Sequence, residues 1–122
     1  MSDKKTFVFD LDGTLCQEKP SDLSYDQYAY VKPYVNMVNY VNKLYDDGHY
    51  IIINTARHMK STGGNVGLIN QRVGKITLDW LVRNHVKYHE LSFGKPYADY
   101  YIDDKAMDIG TFLEKMKGDY PE

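Results

Sequence analysis

The chain has 122 residues, of which 43% are hydrophobic and 14% aromatic, so it has the size of one domain and enough apolar side chains to fill a core. Its 15 Lys and Arg residues and 17 Asp and Glu residues give a net charge of −2, which gives no electrostatic support for a nucleic-acid partner. No stretch reaches the roughly 18 apolar residues of a membrane span, and the basic N-terminus lacks the apolar region of an export signal. The single cysteine, Cys16, excludes a disulfide within the chain, so we expect a cytoplasmic protein in a reducing compartment.

Four apolar runs predict β-strands. The two strongest are KTFVFDL at residues 5–11 and HYIIIN at residues 49–54, and weaker runs cover residues 86–89 and 100–102. The strong runs do not alternate with polar residues, which is typical of strands that are buried on both faces of a parallel sheet.

Apolar residues at spacings of three and four predict three helices. The first begins near Pro33 and ends before Gly48, the second covers residues 76–83, and the third covers about residues 105–116. Strands that alternate with helices indicate βαβ units. The predicted fold class is α/β, with residues 1–122 forming one domain around a doubly wound parallel sheet that has helices on both faces.

Two segments fit no regular element, and each follows a predicted strand. Residues 16–30 are polar and rich in tyrosine, and residues 58–74 contain four glycines. Open α/β sheets bind ligands at the carboxyl ends of their strands. We therefore predict that Gly63 to Gly67 form a mobile loop over a site. The tyrosines between Tyr25 and Tyr30 form a flap that stacks on a sugar or holds a partner surface, unless they only pack against the core.

Polar side chains of particular types follow three of the predicted strands. In chain order they are Asp10, Asp12, Thr55, Arg57, Asp103 and Asp104. The carboxyl ends of parallel strands share one edge of the sheet, so four carboxylates would converge and repel one another unless a cation compensates. Ligands that are all oxygen atoms favour Mg²⁺ over zinc.

Lys95, between Gly94 and Pro96, adds a positive charge shortly before the last strand. A cation, a lysine, a threonine hydroxyl and an arginine together suit a phosphate group. One aspartate could attack phosphorus while the other protonates the leaving oxygen. Each feature alone is more often a turn former, a helix cap or a solvated charge. Arg57 has two readings that stay open: a ligand of substrate or phosphate, and a structural salt bridge.

The motifs FVFDLDGTL, IIINTAR, GKP and YYIDD resemble, in the same order, the four motifs of the haloacid dehalogenase superfamily. The resemblance implies a Mg²⁺-dependent phosphatase that forms an aspartyl-phosphate, with Asp10 as nucleophile and Asp12 as general acid/base. It also implies that Thr55 binds phosphate and that Lys95 stabilises the phosphorylated aspartate. The implied metal ligands are Asp10, the backbone carbonyl of Asp12, Asp103 and Asp104.

The distances between the motifs leave no room for a separate cap domain, so the chain resembles capless members of the superfamily. A capless site is open, and it leaves space for a partner protein or a second copy of the chain. The runs TARHMKSTGG and TLDWLVRNHVKYHELSFGKPYADYYIDDKA are similar to a bacterial subgroup described as phosphatases of capsular or other surface-polysaccharide biosynthesis. That resemblance implies a sugar or polyol phosphate as substrate.

The predicted function is therefore hydrolysis of a small phosphorylated metabolite, without a nucleic-acid or membrane partner. Two alternatives remain. The same site could pass the phosphoryl group to another hydroxyl as a phosphotransferase or mutase, or the chain could be a regulatory subunit that binds phosphate without turnover.

Overall fold

The computed structural model of the protein describes residues 4–20, 22–57, 63–94 and 106–119. No helix within these ranges is long and apolar enough to cross a membrane. The elements in chain order are β1 (Thr6–Asp10), a 3₁₀ helix (Tyr25–Tyr30), α1 (Val35–Asp46), β2 (Tyr50–Thr55), α2 (Val66–Ile69), a π-helical turn (Asn70–Gly74), α3 (Lys75–Arg83), β3 (Glu90–Phe93) and α4 (Ile109–Asp119).

The three strands form one parallel sheet in the order β1-β2-β3. Asp10 at the end of β1 pairs with Asn54, and Thr55 at the end of β2 pairs with Phe93. The carboxyl ends of all three strands therefore lie along one edge, as the sequence predicts for the first two strands. This part of the chain has α/β architecture, with α1 connecting β1 to β2 and α3 preceding β3.

The core lies on one face of this sheet. Phe9 and Ile53 are register partners and both are buried, whereas Val8, whose side chain points to the opposite face, is 63% exposed. Side chains from α1, α3 and α4 join the same apolar cluster, and Phe112 of α4 meets the Phe9 ring edge-on at 5.4 Å. Burial on both faces is therefore not seen within the described ranges. The physical reason is the strand order, because successive right-handed crossovers in one direction place their helices on the same face.

The strand predicted at residues 86–89 is wrong, since β3 begins at Glu90. The chain is still leaving α3 at these positions: the Val86 N–H bonds to the Leu81 carbonyl, and His85 has a positive φ of 57°. The strand predicted at residues 100–102 lies outside the described residues.

The helix predictions differ from the structure mainly at their starts. The second, at residues 76–83, is confirmed by α3, and the first begins at Val35, two residues after Pro33. α4 begins at Ile109 rather than near residue 105, because the Asp108 carboxylate caps it by accepting the Thr111 N–H at 3.1 Å.

The prediction of a loop through the glycine cluster is only partly correct. Gly63 and Gly64 lie in a turn with positive φ angles of 63° and 82°. From Val66 onward the chain is helical, and it passes through the π-helical turn into α3 without leaving helical dihedral angles at Ile69 or Gly74. The sequence signal misleads here because glycine is tolerated inside a helix when neighbouring residues supply the packing.

Candidate active site

A tight loop follows β1 and carries the two aspartates of the first motif. The strand ends at Asp10, and Gly13 adopts a φ of +86°, a conformation that favours glycine. The Leu11 carbonyl accepts the N–H groups of the next turn, which are those of Thr14, Leu15 and Cys16. The backbone has therefore left strand geometry before Asp12, so the two carboxylates need not point in the same direction, as they would at alternate positions of a strand.

Asp10 occupies the carboxyl end of the strand. Its side chain is half-buried, and its Oδ1 atom accepts the N–H of Leu11 at 3.0 Å. Asn54 of β2 is its register partner, so Asp10 lies beside the chain segment that continues to Thr55 and Arg57. The predicted nucleophile and the second motif are thus at the same edge of the sheet.

Asp12 forms an ion pair with Arg57. The Arg57 Nε lies 2.9 Å from Oδ2 and 3.2 Å from Oδ1 of Asp12, and the Arg57 Nη2 lies 3.1 Å from Oδ1. The Arg57 side chain has no exposed surface, whereas the Asp12 side chain is 19% exposed. The structure therefore favours the salt-bridge reading of Arg57 over contact with substrate, and it leaves part of Asp12 open to solvent.

The Arg57 guanidinium is held by three further groups. Its Nη1 donates to the Thr77 hydroxyl at 3.1 Å, and its Nη2 contacts the Cys16 sulfur at 3.8 Å. The Tyr28 ring lies 4.7 Å from the guanidinium carbon. We call Asp12, Cys16, Tyr28, Arg57 and Thr77 the arginine cluster. It joins the loop after β1, the 3₁₀ helix, the segment after β2, and α3.

Cys16 is buried, as expected for a small packed residue. Its thiol donates to the Asp12 Oδ1 at 3.3 Å and approaches the Leu11 carbonyl at 3.7 Å. Burial, with the Asp12 carboxylate adding to it and Arg57 opposing it, raises the pKa of the Cys16 thiol far above its usual range. The thiol is therefore a hydrogen-bond donor here and not a nucleophile.

Thr55, the predicted phosphate ligand, ends β2 and is fully buried. Its hydroxyl oxygen accepts the Arg57 backbone N–H at 3.0 Å, which turns the chain sharply after the strand. The structure thus brings together Asp10, Asp12, Thr55 and Arg57 at one sheet edge. A phosphate contact by Thr55 stays a prediction.

The other predicted site residues, Lys95, Asp103 and Asp104, lie outside the described residues. Within the described ranges, no group of three or more His, Cys, Asp or Glu side chains is close enough to hold a metal ion. The oxygen atoms that this part of the chain offers are the Asp10 carboxylate and the Asp12 backbone carbonyl. Both are hard donors of the kind Mg²⁺ prefers, so they fit one half of the implied ligand set.

Sequence reasoning missed two members of the arginine cluster. A threonine in an amphipathic helix pattern, such as Thr77, gives no signal that its hydroxyl meets an arginine far away in sequence. Tyr28 lies in the tyrosine-rich segment for which a flap is predicted, but nothing in the sequence predicts that its ring packs on Arg57. A second contact of the same kind joins Arg72 to the Tyr25 ring at 5.8 Å, so the 3₁₀ helix also packs against the π-helical turn.

Comparison with solved structures identifies a relative that matches almost the whole chain. A crystal structure of a Vibrio cholerae protein has 36% sequence identity and a TM-score of 0.80, covering 93% of this chain and 94% of the Vibrio chain. Two chains from structures of the Pnkp1/Rnl/Hen1 complex, one of them described as an RNA repair complex, have 19% and 15% identity with TM-scores of 0.54 and 0.57. They match 95% and 99% of this chain, which spans only 36% and 35% of their length, and at these identities the likeness shows the fold alone. No protein-family model and no curated protein matches the chain.

Proposed function

The chain belongs to the same family as the Vibrio cholerae protein, and we propose that it is a Mg²⁺-dependent phosphomonoesterase with a core of the haloacid dehalogenase type. The observation that carries this proposal is the loop after β1. It holds Asp10 at the strand end and Asp12 two residues later, directly before the turn at Gly13, with Asp12 partly open to solvent. Two carboxylates in different environments at the carboxyl edge of a parallel sheet suit a nucleophile and its acid/base partner.

The proposed reaction has two balanced steps. In the first, an Asp10 oxygen attacks phosphorus, the bond from phosphorus to the leaving oxygen breaks, and Asp12 gives that oxygen its proton. In the second, Asp12 takes a proton from water while the water oxygen attacks phosphorus. The bond from Asp10 to phosphorus then breaks, which releases inorganic phosphate and restores the Asp10 carboxylate.

Mg²⁺ would be held by the Asp10 carboxylate and the Asp12 backbone carbonyl, with Asp103 and Asp104 completing the set. When bound, the ion would neutralise negative charge on the phosphoryl oxygens. The Asp12 carboxylate itself faces Arg57, which agrees with a backbone contact to the metal at this residue. Lys95 would add a further positive charge, and Thr55 a hydroxyl, to the phosphate position.

The proposed substrate is a small sugar or polyol phosphate, because the sequence resembles phosphatases of surface-polysaccharide biosynthesis. The proposed compartment is the cytoplasm, because the only cysteine is a buried thiol that forms no disulfide within the chain. If the site is capless and open, it would also accommodate a partner protein or a second copy of the chain.

The test is phosphate release from a broad panel of phosphoesters, measured with Mg²⁺ and again with a chelator. We expect release that needs Mg²⁺, is abolished in Asp10→Asn, and is strongly reduced in Asp12→Asn. Asp79→Asn is the matched control, since Asp79 is a solvent-exposed carboxylate on α3 that pairs with Lys75. Absence of release above the Asp10→Asn level for every compound would refute the proposal. ³¹P NMR of the products would show whether water or another hydroxyl accepts the phosphoryl group.

A further inference from the structure

We propose that Arg57 is a positioning residue that holds the Asp12 carboxylate in the orientation required for proton transfer to the leaving group. The inference rests on the proposed phosphatase function and deepens it. It assigns Arg57 a role that acts through Asp12 and involves no contact with the substrate.

The contact between the two side chains fixes more than a distance. Both the Nε and Nη2 atoms of Arg57 donate to Asp12, at 2.9 to 3.2 Å. Two donors from one rigid guanidinium plane fix the plane of the carboxylate as well as its position, whereas a lysine would supply a single point charge. Asp12 lies in a loop after the end of β1, so strand geometry does not fix its side chain. The pairing with Arg57 therefore determines which edge of the Asp12 carboxylate faces solvent.

The guanidinium can impose this orientation because it is itself immobilised. Thr77 accepts from Nη1 at 3.1 Å, Tyr28 covers one part of the group, and the Trp80 ring lies 6.0 Å from its central carbon. With no exposed surface, the Arg57 side chain cannot reach a substrate in solution without leaving the cluster. Residues from α3 and the 3₁₀ helix therefore fix Asp12 through Arg57.

Cys16 restrains the same carboxylate from a second side. Its thiol donates to Asp12 Oδ1 at 3.3 Å. Oδ1 thus accepts from both Cys16 and Arg57, while Oδ2 accepts only the Arg57 Nε among the contacts described. Oδ2 is the oxygen with more capacity left for a proton, which makes it our candidate for the proton-transfer atom.

This role has a kinetic signature that depends on the leaving group. A sugar or polyol phosphate has an alkoxide leaving group, which needs a proton as the bond to phosphorus breaks. p-Nitrophenyl phosphate has a leaving group that is stable as an anion at neutral pH and needs almost no help. A misplaced Asp12 should therefore lower kcat/KM for the sugar or polyol phosphate and leave kcat/KM for p-nitrophenyl phosphate nearly unchanged.

The experiment measures kcat/KM for an alkyl phosphate and for p-nitrophenyl phosphate, because this quantity reports the step up to release of the first product. For Arg57→Lys in the full chain with Mg²⁺, we expect a loss of about 100-fold or more on the alkyl phosphate, the scale of general acid catalysis. The aryl phosphate should lose less than about 10-fold, because general acid help contributes little to that leaving group. A burst of nitrophenol should also appear, because Asp12 must activate water in the second step.

Thr77→Val supplies a second variant that keeps the side-chain shape and removes only one anchor of the guanidinium. It should show the same pattern with a smaller loss, and Thr77→Ser, which restores the hydroxyl, should recover activity on the alkyl phosphate. Arg83→Lys is the control, since Arg83 is an exposed arginine of α3 whose guanidinium donates to the Ala29 carbonyl. It should leave both values of kcat/KM unchanged.

Three results would overturn the inference. Equal losses on both substrates, expressed mainly as a higher KM, would mean that Arg57 binds the phosphate group directly. Unchanged kinetics with a lower melting temperature would mean that Arg57 only stabilises the fold. A wild-type chain without any phosphate release would remove the proposed function itself and this role with it, an outcome that differs from the other two.

Discussion

Trp80→Phe is expected to destabilise the protein because it removes a buried hydrogen bond between α3 and the end of the 3₁₀ segment. The Trp80 indole is fully buried, and its N–H donates to the Val31 carbonyl at 2.8 Å. Phenylalanine keeps an aromatic ring at this position but has no donor. The variant therefore isolates the hydrogen bond together with a small loss of volume.

The expected loss in the free energy of unfolding follows from the Val31 carbonyl, which is left without its donor. A buried carbonyl without its donor costs about 1 to 3 kcal/mol. A groove of about 420 Å³ beside Val31 and Trp80, bordered by Tyr30 and Arg83, opens toward solvent. Water in this groove can partly replace the donor, so we expect a total loss of about 2 kcal/mol. For a chain of this size that corresponds to a melting temperature lower by about 8 °C.

The assay is thermal unfolding followed by circular dichroism, because the substitution also removes the only tryptophan and its fluorescence. Val82→Ala is the control on the same helix, since Val82 is 72% exposed and surface substitutions change stability by less than about 0.5 kcal/mol. A shift for Trp80→Phe no larger than that of Val82→Ala would refute the reasoning. It would show that the indole N–H contributes nothing beyond what water supplies.

Two further predictions concern the loop after β1 and the start of α4. Gly13→Ala should cost about 1 kcal/mol, because its positive φ costs a non-glycine residue about 1 to 2 kcal/mol, and the less flexible unfolded chain offsets only part of this. Gly118→Ala, in α4 with open space around an added Cβ, should instead raise the melting temperature, and equal effects at the two glycines would contradict this account. Hydrogen bonds from Thr111 lower the pKa of Asp108, so this cap contributes stability above about pH 4, where the carboxyl group would ionise in the unfolded chain, and loses it as pH falls through the lower folded value. Asp108→Ala should therefore melt lower than wild type at pH 7, with a smaller difference at pH 3, and a difference independent of pH would argue against an ionised cap.

Local sequence patterns were sufficient for the elements that depend on near neighbours. The strands at Thr6–Asp10 and Tyr50–Thr55 and the helix at Lys75–Arg83 match the predicted runs closely. A short continuous apolar run indicates a buried strand, and apolar residues at spacings of three and four indicate a helix. The chain leaves strand geometry after Asp10 and turns at Gly13, a change that also involves only the local backbone. Element starts were less predictable, as the cap at Asp108 shows, because both Asp104 and Asp108 are residue types that cap a helix.

The sequence by itself determined that the chain carries Asp10, Asp12, Thr55 and Arg57 at the ends of two strands, and parallel pairing is enough to bring these positions to one edge. Only the tertiary structure decided what Arg57 contacts. The sequence left phosphate and salt bridge as equal readings, and the packing resolved them in favour of Asp12. The physical reason is burial, because an arginine that is shielded from water needs a paired carboxylate. Here α3 and the 3₁₀ helix bury the Arg57 guanidinium through contacts between residues far apart in the sequence, which no local pattern predicts.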